Sequence, residues 1–126
     1  MDKNITLAGA ILICISIILG AMAAHGLESL ISDQLITTFE KGVKYQMYAG
    51  IGLLAVGLSA DKLAFKPNAF FALNLIGVFL FSGGIYAYTF HEMYEGLRTA
   101  ALIVPFGGFA MILAWFIFII QIVRRS

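Results

Sequence analysis

Two histidines and a small group of carboxylates are the residues of this chain best suited to chemistry. His25 and Glu28 lie three positions apart; His91 and Glu95 lie four apart, with Glu92 beside the histidine. Three or four residues is the spacing at which side chains share one face of a helix. Imidazole nitrogens with carboxylate oxygens suit Zn, Mn or Fe, and two histidines alone suit a haem. His25, Glu28, His91 and Glu95 therefore form the candidate metal-ligating set. Set against it, the chain has no H-E-x-x-H motif, and its only cysteine is Cys14. The competing role for the two histidines is as anchors at helix ends, bonded to free terminal carbonyls. That second role is the expectation, and no cofactor is expected.

The elements that must position these residues follow from where charge is missing. Of 126 residues, 61% are hydrophobic and 12% charged, and the mean hydropathy is +0.96. Soluble domains average about 45–50% apolar and about 25% charged. Four windows, 5–24, 45–60, 67–90 and 99–123, contain no Asp, Glu, Lys or Arg. A membrane-spanning helix needs about 20 apolar residues. The windows predict four transmembrane helices at about 5–24, 43–60, 68–90 and 99–123. With short connections they form an all-α, antiparallel four-helix bundle, a single domain over residues 1–126.

The first connection carries a second periodicity. Between residues 33 and 47, Leu35, Ile36, Phe39, Val43 and Met47 recur at helical spacing, with Thr37, Glu40, Lys41 and Lys44 off that stripe. Two readings fit: a short amphipathic helix on the membrane interface, bent at Gly42 into the second span, or the first turns of one long second helix. Near the start, Ala21-Met22-Ala23 resembles a signal-peptidase site. The apolar run before it is longer than a signal peptide uses, so a retained first span is expected. A lipoprotein reading of Cys14 fails because the bulky Ile13 precedes it.

Orientation follows from the basic residues. Lys3, Lys62, Lys66, Arg124 and Arg125 fall on one side, and Lys41, Lys44 and Arg98 on the other. This predicts a multi-pass protein of the cytoplasmic membrane with both termini in the cytoplasm. Tyr45, Tyr48, Tyr86, Tyr88 and Tyr94 all fall at the opposite, outer face, where a ring can keep its hydroxyl hydrated.

Small residues supply the expected cohesion. Lipid gives helices no hydrophobic drive to associate, so close backbone approach matters. Gly20, Gly50, Gly83, Gly84, Gly107 and Gly108 are the candidate packing positions, placing a narrow waist in the outer half, against bulky inner residues such as Leu53, Phe70 and Phe116. Pro105, placed two turns into the fourth span, predicts a kink. Asn74 is expected to bond between helices.

Four segments together resemble a known family: GAMAAHGL at 20–27, F-x-x-G-V-x-Y-Q at 39–46, FSGGIY at 81–86, and PFGG at 105–108 with Trp115 following. They are similar to domain-of-unknown-function family 423, which includes YgdD-like and YwdK-like bacterial proteins and is similar to animal transmembrane protein 256. The resemblance implies an integral inner-membrane protein of four spans with no established reaction. Members often carry a histidine shortly after the Tyr-Gln pair, where this chain has Ala49.

The charge-free windows also lack the ionisable groups that mark proton relays and transport sites. A net charge of +1 without a basic tract excludes nucleic acid as a partner. The leading expectation is a non-enzymatic membrane-stabilising, accessory or scaffold protein, associating with itself or another membrane protein through its small-residue faces. The alternatives are a small channel or transporter passing Gly83, Gly84, Gly107 and Gly108, and a metal- or haem-binding protein using the outer His and Glu residues.

Overall fold

The computed structural model describes residues 1–125. Helix α1 covers Lys3–His25, α2 covers Asp33–Leu58, α3 covers Asn68–Thr89 and α4 covers Val104–Arg125. Short 3-10 segments at Leu27–Ser29, Ala60–Lys62 and Glu95–Leu102 fill the three connections, and no strand occurs among the described residues. Each helix start has a local cause. Asp2 caps α1 through its carboxylate, which accepts the amides of Asn4 at 3.1 Å and Ile5 at 3.2 Å. Ser32 caps α2 by accepting from Leu35 N at 3.3 Å, with Asp33 in the first turn favoured by the helix dipole.

The helices pack antiparallel in chain order, α1 on α2, α2 on α3 and α3 on α4. Three helical segments are long and apolar enough to cross a membrane: Lys3–His25, Asn68–Thr89 and Glu95–Arg125. Helix α2 is not among them, because Asp33, Glu40, Lys41 and Lys44 occupy its first half. Most large apolar side chains of α1 and α4, including Ile17, Ile18, Phe106, Phe109 and Ile112, point outward. That exposure suits a solvent of lipid tails.

The interfacial helix and its bend at Gly42 are not found; α2 is one continuous helix of 26 residues. Its apolar stripe is covered by protein instead. Leu35 and Phe39 are buried with Ala23, Leu27 and Ile31, and Tyr86, Tyr88 and Phe90 from the end of α3 close over them. The kink at Pro105 is not found either. Helix α4 begins at Val104, so the proline sits in its first turn, where its missing N–H would have no intrahelical partner anyway.

None of the thirteen glycines has a positive φ, so their use here is close approach. At the α1–α2 crossing, a Cβ on Gly9 would lie 2.5 Å from Leu54 N and 2.7 Å from the Gly50 carbonyl oxygen. One on Gly50 would lie 2.9 Å from Ile13 Cγ1, and one on Gly57 would strike Thr6. At the α3–α4 crossing, Gly107 meets the backbone of Phe81 and Leu80, and Gly77 meets Met111 and the Gly107 carbonyl. Gly84 sits against Val104 and Ile103.

This pattern departs in part from the expected waist: Gly84 and Gly107 approach closely in the outer half, whereas Gly83, Gly20 and Gly108 do not. Gly83 faces outward with nothing within 4 Å, because one residue of rotation from Gly84 turns it about 100° away from α4. Gly20 and Gly108 make only ordinary contacts. The tightest α1–α2 approach, at Gly9 and Gly57, lies toward the end that carries the termini rather than the outer half. Below it, Leu53, Phe70 and Ala114 are wholly buried and join Ile5, Val56 and Phe118 in one core drawn from all four helices.

Candidate functional site

The histidine and carboxylate positions share one end of the molecule but do not converge, and all except His91 are exposed. His25 is the last residue of α1, Glu28 lies in the following 3-10 turn, and both are exposed, as are Glu92 and Glu95. His91 is half-buried; its Nδ1 lies 2.7 Å from the Tyr88 carbonyl, and its ring stacks on Tyr88 at 4.5 Å. A carbonyl only accepts, so this nitrogen carries the proton. That is the helix-end anchor role. Among the described residues, no three His, Cys, Asp or Glu side chains come together as a metal-binding group.

The polar groups that do converge are buried, between α1, α2 and α3. Ser16 Oγ and Gln46 Nε2 both donate to the Leu12 carbonyl, at 2.7 Å and 3.0 Å. Gln46 Oε1 accepts the Tyr86 hydroxyl at 2.7 Å. One turn away, Ser82 Oγ donates to the Gly42 carbonyl at 2.7 Å. Gly42 has no side chain because the Tyr86 ring occupies that space: a Cβ would lie 2.7 Å from ring carbon Cε1. Phe39 closes the cluster, its ring centroid 4.9 Å from that of Tyr86. The arrangement fixes three helices in register. It has no nucleophile paired with a base.

The expected hydrated position of Tyr86 is not found: its hydroxyl is spent on Gln46, which is 4% exposed. The overlooked signal was in the spacing. Phe39, Gly42 and Gln46 recur at i, i+3 and i+7, and Ser82 and Tyr86 at i and i+4, so each set lies on one helix face. Asn74 also departs from expectation. Its Nδ2 donates to Phe70 O within its own helix at 3.1 Å, and its buried Oδ1 has no partner.

These segments can be compared with known proteins. The family model described as "Protein of unknown function (DUF423)" matches residues 19–108, which contain Phe39, Gly42, Gln46, Ser82 and Tyr86 of the buried network. The chain belongs to the DUF423 family. This DUF423 protein is 35% identical to a UPF0382 membrane protein of Staphylococcus haemolyticus over 119 residues, 94% of each chain. It is 34% identical to the UPF0382 membrane protein YwdK of Bacillus subtilis, covering 97% of this chain and 98% of that one. A Haemophilus influenzae UPF0382 membrane protein is 38% identical over 77% of this chain and 75% of its own. No solved structure matches it. The DUF423 protein is thus a helical membrane protein, embedded in a lipid bilayer; the printed names of these relatives call them membrane proteins.

Proposed function

We propose that the protein is a four-span scaffold of the cell membrane that acts through helix packing, with both termini in the cytoplasm. The observation that carries this reading is how its buried polar groups are used. Ser16, Gln46, Ser82 and Tyr86 are committed to bonds within and between helices. Toward the end that carries the termini the interior is filled by Leu53, Phe70 and Ala114, each 0% exposed, which supports packing over passage of a solute.

Helix α2 supports the fourth crossing. At about 1.5 Å per residue, its 26 residues span roughly 39 Å, and it runs antiparallel along both α1 and α3. All its charges lie in the first twelve residues, leaving an uncharged remainder at bilayer depth. Met1 and Arg125 line one cavity with Asp61 and Lys66, so the two termini share one end of the bundle. The five basic residues at that end favour the cytoplasm.

Single cysteines in a Cys14→Ser background test the topology. Glu28→Cys and Glu92→Cys should react with an impermeant maleimide from outside the cell, while Lys66→Cys and Arg125→Cys stay protected. Labelling Glu28→Cys and Glu92→Cys from opposite sides would exclude an even number of crossings between them. Scaffold action predicts a partner: crosslinking in cells should trap the protein with itself or a second membrane protein. Recovery only as an isolated chain would sink it.

A further inference from the structure

An apolar groove of about 740 Å³ runs down the outside of the bundle between α2 and α4, with Phe81 of α3 at its floor. Tyr45 and Tyr48 stand at one end, Trp115 lies midway, and Phe116 and Ile119 lie toward the other. Along α4 the lining runs from Gly108 to Ile119, a rise of about 16 Å. That is close to half of a hydrocarbon core about 30 Å thick, the depth of one leaflet.

The groove has a polar mouth. Tyr45 and Tyr48 are exposed, and neither hydroxyl meets a protein partner among the described residues. Lys41 and Lys44 precede them by four residues each, so each ammonium stands one helical turn beyond a tyrosine, on the same side of α2. Both lysines are exposed and neither is ion-paired among the described residues. Moving from the mouth inward, the surface therefore changes from cation to phenol to aromatic and aliphatic. An anionic phospholipid has the complementary order of phosphate, glycerol ester and acyl chain.

The geometry points to this groove as a binding site for one acyl chain of an anionic phospholipid, with the headgroup phosphate held by Lys41 and Lys44. This rests on the reading of α2 as a membrane span, and it is independent of which leaflet the mouth faces. Neither lysine is ion-paired to a carboxylate, Glu40 on the same turn included, so a headgroup phosphate would supply a direct partner. Trp115, the single tryptophan, lies in the groove wall and is 39% exposed, so it reports on what occupies it.

The test uses the full chain in phosphatidylcholine vesicles containing a small fraction of lipid brominated on one acyl chain. Bromine quenches tryptophan on contact. Brominated phosphatidylglycerol should quench Trp115 at a lower mole fraction than brominated phosphatidylcholine, by on the order of tenfold for two basic residues near the surface. Lys41→Gln with Lys44→Gln should abolish that preference while leaving quenching by phosphatidylcholine unchanged. In the wild-type protein, raising the salt concentration should also reduce it, which keeps the proposal falsifiable if the double variant fails to fold. Equal quenching by the two lipids would overturn the proposal while leaving the membrane span intact. Weak quenching by both, with crosslinking of Ile112→Cys to its counterpart in a second copy, would assign the groove to a dimer and overturn it. No quenching by any brominated lipid would instead contradict the placement of α2 and α4 in the bilayer.

Discussion

The Tyr86 hydroxyl donates a 2.7 Å hydrogen bond to the side-chain carbonyl of Gln46, while the Gln46 amide donates to Leu12 O at 3.0 Å. One glutamine thus ties α3 to α1 through α2. Tyr86→Phe strands Gln46 Oε1 without a donor, whereas Gln46→Leu removes the polar pair at its centre. Hydrogen bonds of this kind in membranes are worth about 0.6 kcal/mol on average and up to about 1.7. Tyr86→Phe should destabilise the bundle by about 1 kcal/mol, and the double variant should lose less than the sum of the single losses. A double-mutant cycle by reversible unfolding in mixed detergent micelles checks this; additive losses would mean that the two side chains do not interact.

Glycines should separate into two classes. Gly107→Leu and Gly50→Leu drive a side chain into backbone of the neighbouring helix, and overpacking of that sort costs about 1–3 kcal/mol or more. Gly83→Leu points at lipid and should be neutral or stabilising, since glycine is about 1 kcal/mol worse than a good helix former. Thermal denaturation in one detergent ranks the three. Equal destabilisation of all three would contradict the assigned faces.

Asn74 offers a stabilising change. Its Oδ1 is buried without a partner, and an unsatisfied buried acceptor costs about 1–3 kcal/mol. Asn74→Leu keeps the branching at Cγ, although it is larger, and by removing the unpaired acceptor it should raise the unfolding midpoint. A lowered midpoint would show that the carbonyl is satisfied in the folded protein.

Pro105→Ala should change stability by less than about 1 kcal/mol and leave helical content the same, because the first turn of α4 has no hydrogen bond for the proline to break. Circular dichroism and thermal unfolding decide it. A large gain in helix would restore the kink.

His91→Ala removes the bond to Tyr88 O and the stacked ring, and should cost about 1 kcal/mol. Adding Zn²⁺ should shift the melting temperature of neither the wild type nor a His25→Ala, His91→Ala variant. A Zn²⁺-dependent rise that the double variant loses would establish the site that the exposed His25 and Glu28 do not form in this structure.

The sequence by itself determined the class of molecule and most helix positions. Runs such as 5–24 and 67–90 carry no charge over a bilayer's width, and hydrocarbon imposes helix on any such segment because its backbone groups have no water to bond. Local signals also set the starts, as at Asp2 and Ser32. The direction in which each residue faces was decided by the tertiary structure. In a helix apolar all round, no polar stripe marks the buried side. Gly83 and Gly84 look equivalent in sequence; only the position of α4 makes one a contact and the other a surface. The same holds for Gln46 and Tyr86, whose residue types suit an interface with water equally well. Partners arriving from α1 and α3 turn them into an internal fastening, because buried amide and phenol groups are stable only where another helix supplies the missing bond.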